Sequence, residues 1–127
     1  MEFGGRRWTG RLMLRGEIRL VNLGPTRAGE ASKRRPAVIV SNDGASSTAA
    51  KFGTGVVTVV PVTSNVDRVY PFQVLLPSDQ SGLQRDSKAQ AEQIRSISIE
   101  RVTKRVGTVP PELMLAVDEA LRLHLAI

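Results

Sequence analysis

Lys33, Arg34 and Arg35 stand directly before Pro36 and the apolar run Ala37, Val38, Ile39, Val40, within the stretch KRRPAVIVSND. Burying a cation beside such a run is costly. The three cations therefore either form a solvated loop ahead of a strand or are aimed at an anion. Other chemistries lack their residues. The chain has no cysteine and a single histidine, His124, which excludes the usual zinc sets. No GxxxxGK[ST], GxGxxG or GxSxG motif occurs. Carboxylates are scattered without a D-x-D pair, so a magnesium site has weak support. We expect no metal and no cofactor. Arginine, lysine, hydroxyls, amides and one or two carboxylates remain. That set suits one reaction in particular, because RNA brings its own nucleophile in the 2′-OH. The protein need only hold the sugar–phosphate in line, stabilise charge growing on phosphorus and assist the leaving 5′-oxygen. An arginine fork grips two phosphate oxygens, although arginine is a poor proton donor. A threonine hydroxyl can orient a phosphate oxygen or pass a proton.

The charge distribution fits a polyanion partner. Of the net charge of +6, all is carried by residues 1–35, which hold nine Lys/Arg and three Asp/Glu, while the remainder is balanced. Such asymmetry points to nucleic acid first and an acidic protein second, with a generic basic surface as the plain alternative. The 127 residues fit one domain, and at 41% apolar they can fill a core, mostly with aliphatic side chains because aromatics reach only 4%. No apolar run is long enough for a membrane span, and no secretory pattern opens the chain. Together with the missing cysteines, this leads us to expect a cytoplasmic protein.

The elements that must position these residues can be read from the pattern. Residues 1–12, MEFGGRRWTGRL, read as a flexible basic N-terminal extension, and residues 13–127 as the domain. Trp8 in the extension reads as incidental. Glu17–Leu23 alternates as a strand, and GPTRAGEASKRR follows as a long loop. PAVIVSN is a second strand, with Pro36 at its first position. Asp43–Thr54 reads as a loop with a helical turn at ASSTAAK, and GVVTVVPV as a third strand ending at Pro61. FQVLL is a fourth strand, PSDQSG a turn, and SKAQAEQIRSI a further strand with a crossover beginning at Ile94. SIERVTK reads as a helical turn and RVGTV as the last strand. The closing segment PPELMLAVDEALRLHLAI is the one clear helix, with prolines at its start and Met114, Val117, Leu121 and Leu125 on its apolar side. His124 in its last turn reads as structural. Five or six strands and a closing helix predict a small, strongly curved sheet or open barrel.

Six pieces in order resemble the MazF/PemK family of toxin endoribonucleases, with actinobacterial MazF toxins the nearest likeness. They are RGEIRLVNLGP, KRRPAVIVSND, VVPVTSN, YPFQVLL, KAQAEQIRSI and VGTVPPELMLAVDEAL, spanning most of Arg15–Ile127. The resemblance implies a mainly β fold, an SH3-like open barrel with a C-terminal α-helix, acting as a homodimer. It implies metal-independent cleavage of single-stranded RNA that leaves a 2′,3′-cyclic phosphate and a 5′-OH. It also implies a MazE-type antitoxin whose acidic C-terminal tail occupies the RNA groove. By position in the motifs, Arg35 and Thr63 correspond to the catalytic pair. Glu30, Lys33, Arg34, Ser64 and Gln93 correspond to RNA-binding positions. Structural alternatives accompany several of these: Thr63 as a turn-capping hydroxyl, Gln93 satisfying backbone groups inside the barrel, Glu30 balancing Arg27 or Lys33, and Tyr70 as a barrel cap. Two departures from the family pattern stand out. Arg19 replaces an aromatic, exchanging a ring for a guanidinium plane, and the loop reads AGE in place of GSE. The same barrel can also serve a non-catalytic nucleic-acid-binding or topoisomerase-poisoning toxin.

Overall fold

The computed structural model describes residues 2–3, 6–7, 13–24 and 34–127. Two short strands, β1 (Glu2–Phe3) and β2 (Arg6–Arg7), pair antiparallel, and the rest of the extension read at residues 1–12 lies outside the described residues. The domain is built from β3 (Glu17–Asn22), β4 (Arg34–Ile39), β5 (Val56–Thr63), β6 (Gln73–Leu76), β7 (Ser87–Gln90), β8 (Arg95–Ser98) and β9 (Val102–Thr108). They form one antiparallel sheet in the order β6-β7-β5-β4-β3-β9, with β8 added against β5. The sheet is open, as the fold class read from the sequence requires. β5 is its hub. One edge pairs with β4, while the other is shared, Val56–Val59 facing β8 and Val62–Thr63 facing β7.

Both faces of the sheet are buried, because side chains alternate along each strand. One face carries Ile18, Val38, Val60, Val62 and Leu76, which pack with Met114 and Val117 of the C-terminal helix α3 (Pro111–Leu125). The opposite face carries Val21, Ala37, Ile39, Val57 and Val59, which pack with Ala49 and Ala50 of α1 (Asp43–Phe52). Arg15 ties the layers together: its backbone N–H donates to Asp43 Oδ1, its Nε to the Val40 carbonyl at 2.8 Å, and its Nη2 to Asp118 Oδ1 at 2.6 Å.

Several elements differ from their reading in the sequence. The strand of PAVIVSN begins two residues earlier, at Arg34, so Pro36 is its third residue. Pro36 is tolerated there because it faces Leu20 on one side, while the β4–β5 ladder starts only at Ala37. β5 does not stop at Pro61 but continues to Thr63. PSDQSG contains a short helix, α2 (Ser78–Ser81), closed by Gly82 at φ 82°. SIERVTK is a single 3-10 turn, Ile99–Arg101, that leads straight into β9. Leu125, placed on the apolar side of α3, is 45% exposed, and Ala120 takes its place in the core.

The largest difference is α1, ten helical residues where a loop with one turn was expected. Glycine, two serines and a threonine in DGASSTAAKF are poor helix formers, which hides the element. Its ends explain why it forms. Asn42 Oδ1 accepts from the Ala45 N–H at 2.8 Å, Asp43 and Lys51 complement the dipole, and Gly53 closes it at φ 65°. Asn42→Ala is expected to cost about 1 kcal/mol of stability. Urea unfolding of the two proteins at one concentration checks this, and coincident curves would remove the cap from the account.

Candidate active site

The site is assembled by the register of β4 and β5. Ala37 faces Pro61, Val38 faces Val60 and Ile39 faces Val59. The ladder ends there, and Arg35 and Thr63 are the residues two beyond its last pair on the two strands. Side chains alternate along a strand, so both belong to the face of Ala37 and Ile39. Along this face the side chains are apolar as far as Ala37. Beyond it the apolar pattern gives way to Arg35 and Thr63.

The row extends in both directions. Val21 faces Arg35 from β3, Lys88 faces Thr63 from β7, and Leu75 faces Lys88 from β6. Lys88 is thus the direct cross-strand neighbour of Thr63, and Arg35 lies on the same face of β4, the strand on the other edge of β5. Arg35 is exposed, Thr63 is half-buried and Lys88 is buried. The Arg35 side chain leaves the backbone in a direction set by extended angles, which Pro36 imposes on the residue before it. Thr63 Oγ1 accepts from the Asn65 N–H at 3.2 Å, which fixes the oxygen and leaves the hydroxyl proton free for another acceptor. Asn65 Oδ1 then accepts from the Asp67 N–H at 3.2 Å. These two turns launch a loop that returns over the row. In that loop Tyr70 and Phe72 stack with ring centroids 5.3 Å apart, and the Arg68 guanidinium lies 5.7 Å from the Tyr70 ring.

Arg34 and Ser64 alternate to the other side of their strands. Ser64 lines a groove of about 550 Å³ together with Leu20, Pro36, Arg85, Lys104 and Arg105. The structure thus sets Arg35 and Thr63 on one face at the same end of neighbouring strands, and Ser64 beside a second basic surface. Gln93 is exposed on the 3-10 turn Ala91–Gln93 that follows β7. It does not satisfy groups inside the sheet. That task falls to Gln73, whose Nε2 donates to Glu92 Oε2 at 2.7 Å and whose Oε1 accepts from the Tyr70 N–H. Glu30 and Lys33 lie outside the described residues.

Arg19, at the position of the family's aromatic, is engaged within the protein. Its Nε and Nη2 donate to Glu17 Oε1 at 3.1 and 2.9 Å, and its Nη1 to the Thr103 carbonyl at 3.0 Å. Arg105 comes within 4.0 Å of the same carboxylate. With Glu17 buried, the pair is a structural anchor between β3 and β9, and the guanidinium is not a free stacking plane. Among the described residues no group of three or more His, Cys, Asp or Glu converges as metal ligands. No helix among them is long and apolar enough to cross a membrane.

Lys88 escapes a sequence reading, and so does the stacking of Phe72 on Tyr70, which was read only as a barrel cap. Lys88 lies in KAQAEQIRSI, where one lysine in an alternating strand gives no sign of burial. Tyr70 and Phe72 flank Pro71 in a segment without periodicity. The aromatic pair around a proline was the available signal.

Comparison with known proteins finds similarity over nearly the whole chain. The family described as PemK-like, MazF-like toxin of type II toxin–antitoxin system matches residues 14–125. The chain is 58% identical over 114 residues to Endoribonuclease MazF9 of Mycobacterium tuberculosis, covering 90% of this chain and 97% of that protein. Among solved structures, MazF of Deinococcus radiodurans superposes with a TM-score of 0.70 at 25% identity, over 92% of this chain and 99% of that one. A MazE–MazF structure from the same organism superposes with a TM-score of 0.73 at 24% identity, over 92% and 98%.

Proposed function

Since the chain belongs to the PemK-like, MazF-like toxins of type II toxin–antitoxin systems, we propose that it is an endoribonuclease that cuts single-stranded RNA at short sequences. The observation that supports the reading is that Arg35 and Thr63 share the polar end of one sheet face, each two residues beyond the last β4–β5 pair. The 2′-OH beside the scissile phosphate attacks phosphorus in line with the departing 5′-oxygen. Arg35 grips two non-bridging oxygens and stabilises the charge that grows there. The Thr63 hydroxyl, with its oxygen held by Asn65, donates to a phosphate oxygen and orients it. The products are a 2′,3′-cyclic phosphate and a 5′-OH. Glu30, Lys33, Arg34, Ser64 and Gln93 contact the RNA around that centre. The protein acts as a homodimer in the cytoplasm, and a MazE-type antitoxin with an acidic tail competes with RNA for the basic surface. The MazE–MazF relative supports the antitoxin partner. A non-catalytic toxin on the same barrel is not favoured, because the relative that matches almost end to end is named an endoribonuclease.

The purified protein is expected to cut single-stranded RNA in EDTA and to spare DNA, which lacks the 2′-OH. The basis is the donor set of the chain, one histidine and no cysteine, together with the nucleophile that RNA supplies. Gel analysis of a long RNA checks it, and sequencing of the 5′-OH ends reads the cut sequence. Strict dependence on magnesium, or robust DNA cleavage, would overturn the reading.

A further inference from the structure

Lys88 is 7% exposed, yet it carries an ammonium group. Its Nζ donates to the Arg68 carbonyl at 2.5 Å and lies 6.0 Å from the centroid of the Tyr70 ring. The carbonyl and the face of the ring partly replace water, but neither neutralises the charge. None of the ion pairs among the described residues includes Lys88. Buried cations are ordinarily paired with an anion, and one carbonyl satisfies one of three N–H donors.

Position says which anion would pair with it. Lys88 faces Thr63 directly across β5 and β7, and Arg35 lies on the same face of β4, which pairs with the other edge of β5. We infer that Lys88 is a third phosphate-contacting residue, holding the RNA phosphate at Thr63 from the side opposite Arg35. The inference rests on the ribonuclease reading above. In free protein the Arg68 carbonyl holds the amine in place. When RNA enters, the remaining N–H donors meet a non-bridging oxygen, and a cation that was costly to bury gains its counter-charge. Arg35 supplies a fixed planar fork and Lys88 a point charge, so the phosphate is held from two sides over the Thr63 hydroxyl.

Lys88→Gln separates charge from tether, because the amide can still donate to the Arg68 carbonyl. The cut site is first mapped with the unaltered protein, and a matching oligonucleotide with 2′-deoxyribose at that site serves as the uncleavable probe. Lys88→Gln is expected to flatten the dependence of log Kd on log salt by roughly 0.7. It should lower the single-turnover rate roughly ten- to a hundredfold, with a melting temperature unchanged or higher because an unpaired buried charge is gone. An unchanged salt slope together with an unchanged rate would reduce Lys88 to a loop tether and overturn the inference. Should the variant not fold, the lysine ammonium nitrogen signal of the unaltered protein decides. A shift of the buried amine on saturation with the probe supports the contact, and its absence overturns it. If the unaltered protein cuts no RNA, the ribonuclease reading itself has failed, which is a different result from failure of the Lys88 contact.

Discussion

Replacing Arg35 by alanine is expected to lower the single-turnover rate on saturating RNA at least about a hundredfold, while binding weakens far less. The size follows from the role. A main electrostatic stabiliser of transition-state charge is worth roughly 3 kcal/mol, and each 1.4 kcal/mol is about tenfold in rate. The direction follows from the geometry. Arg35 shares a sheet face with Thr63 and is pre-oriented by Pro36, so in the proposed mechanism its interaction grows with the charge on phosphorus and is small in the ground state. Arg35→Lys should recover only part of the rate, since an ammonium keeps the charge and loses the fork. Thr63→Ala should resemble Arg35→Ala in lowering the rate at saturation. Arg34→Ala should mainly raise the dissociation constant, because Arg34 alternates to the other side of β4. A normal single-turnover rate in Arg35→Ala would make the arginine an ordinary solvated cation and end the proposed mechanism.

The second large effect is on stability. A Cβ at Gly107 would lie 2.5 Å from the Ser81 carbonyl oxygen, with Ile18 Cδ1 at 3.4 Å and Leu83 Cδ2 at 3.5 Å. The nearest atom is backbone, at the C-terminal end of α2, so it cannot swing aside as a side-chain tip would. Gly107 also faces Ile18 across β9 and β3, where the ladder shifts register. Gly107→Ala must therefore push β9 away from either α2 or β3. The expected cost is about 2–3 kcal/mol, at the upper end for overpacking, and a drop in melting temperature on the order of 10 °C. Both proteins must be compared at one concentration, since the proposed dimer would make the transition concentration-dependent. Gly24→Ala serves as the control, because a Cβ there meets nothing within 4 Å. Equal melting temperatures for Gly107→Ala and the parent would mean that the close approach of β9 and α2 contributes nothing to stability.

Much of the architecture follows from local pattern. Alternation and apolar runs place β3, the body of β4, β5 and β6, and two prolines followed by an amphipathic stretch place α3. These are signals of period and of backbone restriction, carried by neighbouring residues. The helix α1 was within reach too, through Asn42 and Gly53 at its ends, but its serines, threonine and glycine speak against a helix until Ala49 and Ala50 find a sheet to pack on. The types at the candidate site, a cation before Pro36 and a hydroxyl after Pro61, are equally open to reading. What they do together is decided elsewhere. Arg35 and Thr63 lie 28 residues apart in the chain, and only the pairing of β4 with β5 brings them to the same end of one sheet face. A shift of one residue in that register would turn one of them to the far face. The same holds for Arg19, which stands free in the sequence and is tied to Glu17 and Thr103 in the fold. It holds most for Lys88. Its charge is written in the sequence, but its burial beside Thr63 depends on the pairing of β7 with β5 and on the loop that brings the Arg68 carbonyl over it. Residue type and local period are properties of short stretches, whereas burial and opposition are properties of strands far apart in the chain, which is why the first could be read and the second had to be seen.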